Sequence, residues 1–441
     1  MSAGAPAAQA RPFAALLAHA LPGEPAWLAA LRSRGRARFE TLGLPGPGDE
    51  DWRQTNVRPL AGIPFALAGA AEASAADLSG PGIASALPVR FVLVNGRFDA
   101  GLSTRDGLAA GVSVSDLATA LRTAPSEIEP HLGRIAPIDE APFAALNTAT
   151  FVDGALVRLG ENVVSSEPIH ILHLTVGSGA PAAVSSRTLV LAAPGSSAVV
   201  VETFAGSGSG PALTNAVTEI VLGAHARIEH VKVQAEPEET WHIGALAGHV
   251  ARGGCLRSHN VSLGARLARN DIGARLDGEG AECVLYGLYL ADGAQHVDNH
   301  TWLDHAKPHC PSWEVYKGVL AGRARAVFNG RIVVREGAQK TDAKQSNKNL
   351  ILSEGATVHT RPQLEIHAND VKCTHGATIG RLDAAALFYL RSRGIGEAAA
   401  RDLLIHAFAD DILAKIPAAA VREALASALY GRLERDLAVR P

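Results

Sequence analysis

Residues Gly195–Val201 read Gly-Ser-Ser-Ala-Val-Val-Val, and Gly223–Val233 read Gly-Ala-His-Ala-Arg-Ile-Glu-His-Val-Lys-Val. Both are one phrase: a glycine, small residues, then an apolar β-branched run that favours a strand. The phrase returns at Gly253, Gly280, Gly293, Gly322, Gly355 and Gly376, with steps of 28 from Gly195 to Gly223, 30 to Gly253, 27 to Gly280 and 29 from Gly293 to Gly322. Recurrence at this length points to a solenoid, in which each coil buries its inner face by stacking on the next. A β-sandwich would show turn signals every 8–12 residues or so. Short strand-like segments at Ala198–Val201, Ile228–Val233, Val284–Leu290, Ala326–Phe328 and Arg331–Val334, with no long amphipathic helix between them, favour a β-helix.

The flanks have a different pattern. Up to residue 151 the chain is Ala- and Leu-rich. Pro25–Thr41 carries Trp27, Leu28, Leu31 and Phe39 at near-helical spacing and stops at Gly43, Ser115–Arg122 forms a second helical patch, and Val89–Val94 reads as a strand before an Asn95-Gly96 turn. Beyond residue 382, three helical stripes follow: Ala384–Arg393, then Glu397–Lys415 with Ala400, Leu403, Leu404, Ala407, Phe408 and Ile412, then Val421, Leu425, Ala428, Leu429 and Leu433. These stripes either pack on one another or form a module with a groove for a partner. The expected division is 1–151 mostly helical, 152–382 the β core, and 383–441 a C-terminal helical module.

The 441 residues carry 41 basic and 44 acidic side chains, net −3, which gives no field for nucleic acid or anionic lipid. No run of about 18 apolar residues suggests a spanning helix. Met1–Leu21 resembles a transit peptide in composition only and lacks a secretory core, so a cytoplasmic protein is expected. Cys255, Cys283, Cys310 and Cys373 form no CxxC pair and are expected as free thiols. There is no GxxxxGK[ST] loop and no GxGxxG opening a helix, and Gly206–Gly210 reads as a flexible loop.

Two constellations could carry chemistry. Gln295–Cys310 holds His296, Asp298, His300, Asp304, His305, His309 and Cys310, a composition that invites a self-contained metal enzyme. Its spacing is not HExxH, and histidines bonded within strands and turns are the favoured reading. In Val371–Arg381, Cys373 and His375 stand two apart, which on a strand puts thiol and imidazole on one face as ligands suited to iron or zinc. A buried cysteine beside a hydrogen-bonded histidine would read the same way. A saccharide-active β-helix would need a secretion signal and charged side chains on one exposed sheet, and neither is visible.

Taken together, Glu50–Asn56 (Glu-Asp-Trp-Arg-Gln-Thr-Asn), Gln295–Cys310, Tyr316-Lys317-Gly318, Phe328-Asn329-Gly330, Thr341–Leu350 and Cys373–Thr378 resemble, in order, the SufD family, the β-helix subunits of SUF iron–sulfur cluster assembly. The likeness spans about residues 48–415. It implies a right-handed parallel β-helix between helical ends, a heterodimer with the paralogue SufB, and the ATPase SufC docked on the C-terminal helices. It also implies a scaffold subunit that is not itself an enzyme, with a transient cluster or iron at the SufB interface and no group held permanently by this chain alone. Carried over by position, Cys373 and His375 are the interface ligands. Leu404, Phe408 and Ile412 are the candidates for SufC contact, and the isolated chain could pair with itself. The B-type paralogue has a sulfur-accepting cysteine in the region of Gln345-Ser346 and a glutamate at Gly376; Ser346 and Gly376 mark this chain as D-type and leave sulfur loading to the partner.

Overall fold

The computed structural model describes residues 13–18, 23–80 and 87–432. The centre of the chain is a two-sided parallel coil of about eight turns. Sheet I stacks, in order, Asp153–Leu159, Ala182–Ala192, Ala212–Leu222, Thr240–Val250, Leu267–Leu276, His296–His305, Arg325–Val334 and Thr357–Ile366. Sheet II stacks Ile169–Ser178, Ser197–Ser209, Arg227–Gln234, Cys255–Ser262, Glu282–Ala291, Pro311–Leu320, Asp342–Ile351 and Lys372–Gly380. The pairing register lines residues into columns; one runs Ala198, Ile228, Leu256, Cys283, Ser312, Ala343, Cys373. Because side chains alternate, residues at every second position enter the coil and form its apolar core, among them Val200, Ile228, Leu256, Ala274 and Phe328.

The expected repeat is present, but its glycines serve two different corners. A residue with left-handed φ stands two positions before successive Sheet II strands: Gly195, His225, Gly253, Gly280, His309 and Lys340. His225, not Gly223, holds the second of these positions, with φ 59°. Gly293 and Gly322 turn the chain into Sheet I instead, and Gly376 lies inside the last strand. Gly206–Ser209 is no loop: it continues a Sheet II strand against Thr175–Ser178. A Cβ on Gly208 would stand 2.3 Å from the Gly177 carbonyl oxygen, so this pairing needs glycine.

The first coil is covered. The hairpin Val89–Val94/Arg97–Arg105, turning at Asn95-Gly96 with both φ positive, adds to Sheet II, and Val112–Asp116 adds antiparallel to Sheet I. The N-terminal region thus contributes strands to both sheets as well as helices. Ala26–Leu42 ends at Gly43, as the sequence suggests, and crosses the wholly buried helix Pro142–Thr150 closely; a Cβ on Gly35 would lie 2.8 Å from the Ala145 carbonyl oxygen.

The outer face of Sheet II carries an apolar patch, and helices cover it. Val201, Val231, Val261, Leu288 and Val319 face out and pack on Ile405, Ala409, Ile412, Leu413, Val421 and Leu425 of helices Glu397–Leu413 and Ala419–Arg432. The C-terminal helices therefore pack chiefly on the coil. Leu433 lies outside the described residues. The helix Ala384–Ser392 buries none of its residues, and Phe388 is 74% exposed.

Candidate functional site

The far end of the coil is open. Thr357–Ile366 and Lys372–Gly380 are terminal strands of their sheets, and nearly every residue of the latter is exposed. Free strand edges invite pairing with another chain, and natural proteins usually blunt them. Cys373 and His375 stand on this last strand in inward-facing columns, above Ala343 and Gln345 respectively. Cys373 is half-buried against the core, and His375 is exposed. Burial raises the Cys373 thiol above its ordinary range, which favours its protonated form.

Beneath His375 lie Gln345 and then Glu314, successive members of one column. The Thr301 hydroxyl donates to Glu314 Oε2 at 2.6 Å and the Gln345 amide donates to it at 3.1 Å. Burial pushes the Glu314 carboxyl up to about 7. A Cβ on Gly330 would fall 2.1 Å from Gln345 Nε2, and one on Gly287 a similar 2.1 Å from the Tyr316 ring. These glycines leave room inside the coil for the large polar side chains of the adjoining rungs.

The remaining motif residues brace the coil. Arg269 donates to Asp298 Oδ2 (2.6 Å) and to the Asp51 carbonyl (2.8 Å), with its guanidinium over Trp52. Thr55 donates to Asp298 (2.5 Å) and accepts from His296 (3.0 Å), and His300 Nε2 stands 3.1 Å from the other Asp298 oxygen. Burial opposes the Asp298 charge, but Arg269 and His300 outweigh it and hold the carboxyl well below its usual range. The Glu50–Asn56 phrase is thus a strap clasped to Sheet I. From Gln295–Cys310, His305 points inward to Ser312 (3.0 Å), Asp304 pairs outside with Arg335 (2.6 Å), His309 turns a corner and Cys310 is buried. Its members go to separate places, and among the described residues no three His, Cys, Asp or Glu side chains are grouped to hold a metal. Cys255, Cys283 and Cys310 are buried free thiols, all raised by burial, Cys255 to about 11.

Of the three helical candidates, Leu404 and Phe408 are half-buried and Ile412 is 1% exposed against Sheet II. Lys317, from the Tyr-Lys-Gly phrase, fixes this helix by bonding Asp411 (2.7 Å) and the Phe408 carbonyl (3.0 Å). Sequence reading passed over Glu314, Arg187 and Glu219. Aligning the strands in register would have found Glu314, since Ser312, Glu314 and Tyr316 alternate as inward residues.

The fold is that of an open-ended parallel coil, a β-solenoid, and sequence comparison gives its family. The profile described as "SUF system FeS cluster assembly, SufBD core domain" matches residues 174–408, and "SufBD protein N-terminal region" matches 22–171. The chain belongs to the SufBD family. It is 32% identical to the iron–sulfur cluster assembly protein SufD of Escherichia coli K12 over 375 residues, 84% of this chain and 85% of that protein. It is 33% identical to an iron–sulfur cluster assembly SufBD family protein of Synechocystis over 408 residues, 91% and 88% of the two chains. No helix among the described residues is long and apolar enough to cross a membrane.

Proposed function

We propose that this chain is the D-type scaffold subunit of a cytoplasmic SUF complex, joined through its open coil end to a SufB-like paralogue and served by a SufC-type ATPase. The uncovered last turn, with Cys373 and His375 at its rim, carries the reading. Two ligands from one chain cannot complete the four-fold coordination that iron in such clusters takes, so a facing subunit must bring the rest. The nascent cluster or iron is cargo at that interface, and the chain itself performs no ATP hydrolysis. In isolation, the same free edges would let two copies pair.

The ATPase would dock on the C-terminal helices. Ile412 is committed to the coil and supports the module from beneath, while Leu404 and Phe408 offer part of their surface. The exposed Phe388, Tyr389 and Leu403 enlarge that face. The test is His375→Ala in the co-expressed complex under anaerobic reconstitution: subunit pull-down should stay normal while cluster absorbance falls severalfold. Undiminished cluster yield would remove His375 from the site.

A further inference from the structure

A cleft of about 100 Å³ opens on the outer face of Sheet I, between the Glu50–Asn56 strap and the start of the buried helix Pro142–Thr150. Cys373 and His375 stand on the other sheet and face into the coil, so the cleft is separate from the rim. Three aromatic rings wall it: Trp52 and Phe143, tilted with centroids 5.4 Å apart, and Trp302. A Cβ on Gly273 would fall 2.2 Å from two atoms of the Trp302 indole and 2.4 Å from a third, so the ring lies flat on that glycine. The opposite face of this half-buried ring is left to the cleft. Asp271 stands two residues before Gly273 on the same outer face, beside Ala245 of the cleft floor.

The polar lining is unbalanced. Asp51, Glu140 and Asp271 contribute carboxylates, and Arg269 is the one basic residue among the lining residues described. Its charge is already answered twice: Asp298 takes Nη1 at 2.6 Å, and Asp271 Oδ1 takes Nε at 2.9 Å and Nη2 at 2.7 Å. Both of the latter bonds fall on Oδ1, so Asp271 Oδ2 is left to accept from another donor. The chain itself shows what such a wall selects, since the Arg269 guanidinium lies 4.2 Å over the Trp52 ring between two carboxylates. A planar guanidinium both stacks on an indole and forks its donors to a carboxylate, whereas an ammonium is a point charge that cannot stack. Pockets for drug-sized ligands take roughly 300–1,000 Å³, so this cleft holds the end of one side chain. Across the strap, Asp51 also borders a groove of about 500 Å³ that passes Asn329 to reach His359 and Arg361, room for the backbone of an extended segment.

We propose that this cleft receives an arginine side chain from an extended segment of a partner protein, its guanidinium stacked on Trp302 and bonded to Asp271 Oδ2. The groove beyond the strap takes the neighbouring backbone.

The test is fluorine NMR of the full chain labelled with 5-fluorotryptophan, the Trp302 resonance being assigned by its loss in Trp302→Leu. The titrants are the capped peptide Gly-Ser-Arg-Ser-Gly, its lysine twin and N-acetylarginine amide. The arginine peptide should shift the Trp302 and Trp52 resonances saturably and leave Trp313, on Sheet II, unmoved. It should bind about fivefold tighter than the lysine twin, and about threefold tighter than the amide, which lacks the neighbouring backbone. Ala245→Leu, which fills the floor of the cleft, should weaken the arginine peptide about tenfold while thermal unfolding and the Trp313 resonance stay as in the parent. Should that variant not fold, Trp302→Leu read at Trp52 takes its place, with the same loss expected. No saturable shift at Trp302 by about 10 mM peptide, equal binding of the lysine twin, or undiminished binding by the folded variant overturns the proposal. Amide that binds as tightly as the peptide also overturns it, because the occupant is then a free small molecule and not a partner's chain.

Discussion

Glu219 is one of the points at which the N-terminal region is fastened to the coil, and its loss should be severe. Its side chain and that of Arg187 are both 0% exposed, joined by Arg187 Nη2 at 2.7 Å and Nε at 3.0 Å. Glu219 also accepts from the backbone N–H groups of Gly133 (2.9 Å), Ile135 (3.2 Å) and Ala136 (3.2 Å), while Arg187 donates to Thr148 (2.9 Å) and Asn147 (3.2 Å) of the buried helix. Glu219→Ala leaves a guanidinium without a counter-charge and three amides without an acceptor. Breaking a buried pair from one side destabilises by about 3–5 kcal/mol. Much of that loss should appear as local opening, because coils contact mainly their neighbours. Hydrogen exchange should therefore accelerate over residues 133–150 by two orders of magnitude or more, with little change in Lys372–Gly380. The double variant Arg187→Met/Glu219→Leu, which removes both charges, should recover most of the stability. A single variant within about 1 kcal/mol of the parent, or uniform acceleration through the coil, would refute the fastening argument.

Two further outcomes are expected. The folded-state Glu314 carboxyl stands at about 7 against an ordinary 4.5, so the unfolded chain ionises first and stability falls as pH rises between those values, by up to about 3 kcal/mol in all. Glu314→Gln should lose that contribution to the pH slope in denaturant titrations from pH 4.5 to 8, and an unaltered slope would place the Glu314 ionisation elsewhere. Phe388→Asp, on a helix that buries nothing, should leave thermal unfolding unchanged and weaken capture of the ATPase tenfold or more in pull-down titrations; undiminished binding would move the docking surface off this helix.

The coil was legible because stacking imposes a repeat, and 27–31 residue steps survive in the corner positions. Its phase was harder to read. A left-handed corner selects glycine only statistically, and His225, His309 and Lys340 occupy it here without one. The C-terminal stripe was placed about one residue off: Leu403 is exposed while Ile405, Ala409 and Leu413 are buried. Apolar residues surround most of that helix, so periodicity alone does not pick the buried face. The coil interior was hidden for a different reason. Glu202 accepts from Thr188, Thr218, His173 and His230 inside the barrel of the coil, and Lys232 reaches Asn270 at 2.8 Å. Polar residues that enter the core in mutually bonded sets do not alternate visibly with polar residues outside. Cys373 and His375 were legible as a same-face pair, but their position at an open rim follows only from where the coil stops.

That rim is tested most directly by nitrogen hyperfine spectroscopy of the reduced cluster on the assembled complex. Histidine labelled with nitrogen-15 in this subunit alone should give an imidazole coupling to the cluster, and His375→Ala should abolish it. A cluster formed at normal yield without that coupling would contradict the assignment of His375 as a ligand and, with it, the account of what the open end of the coil is for.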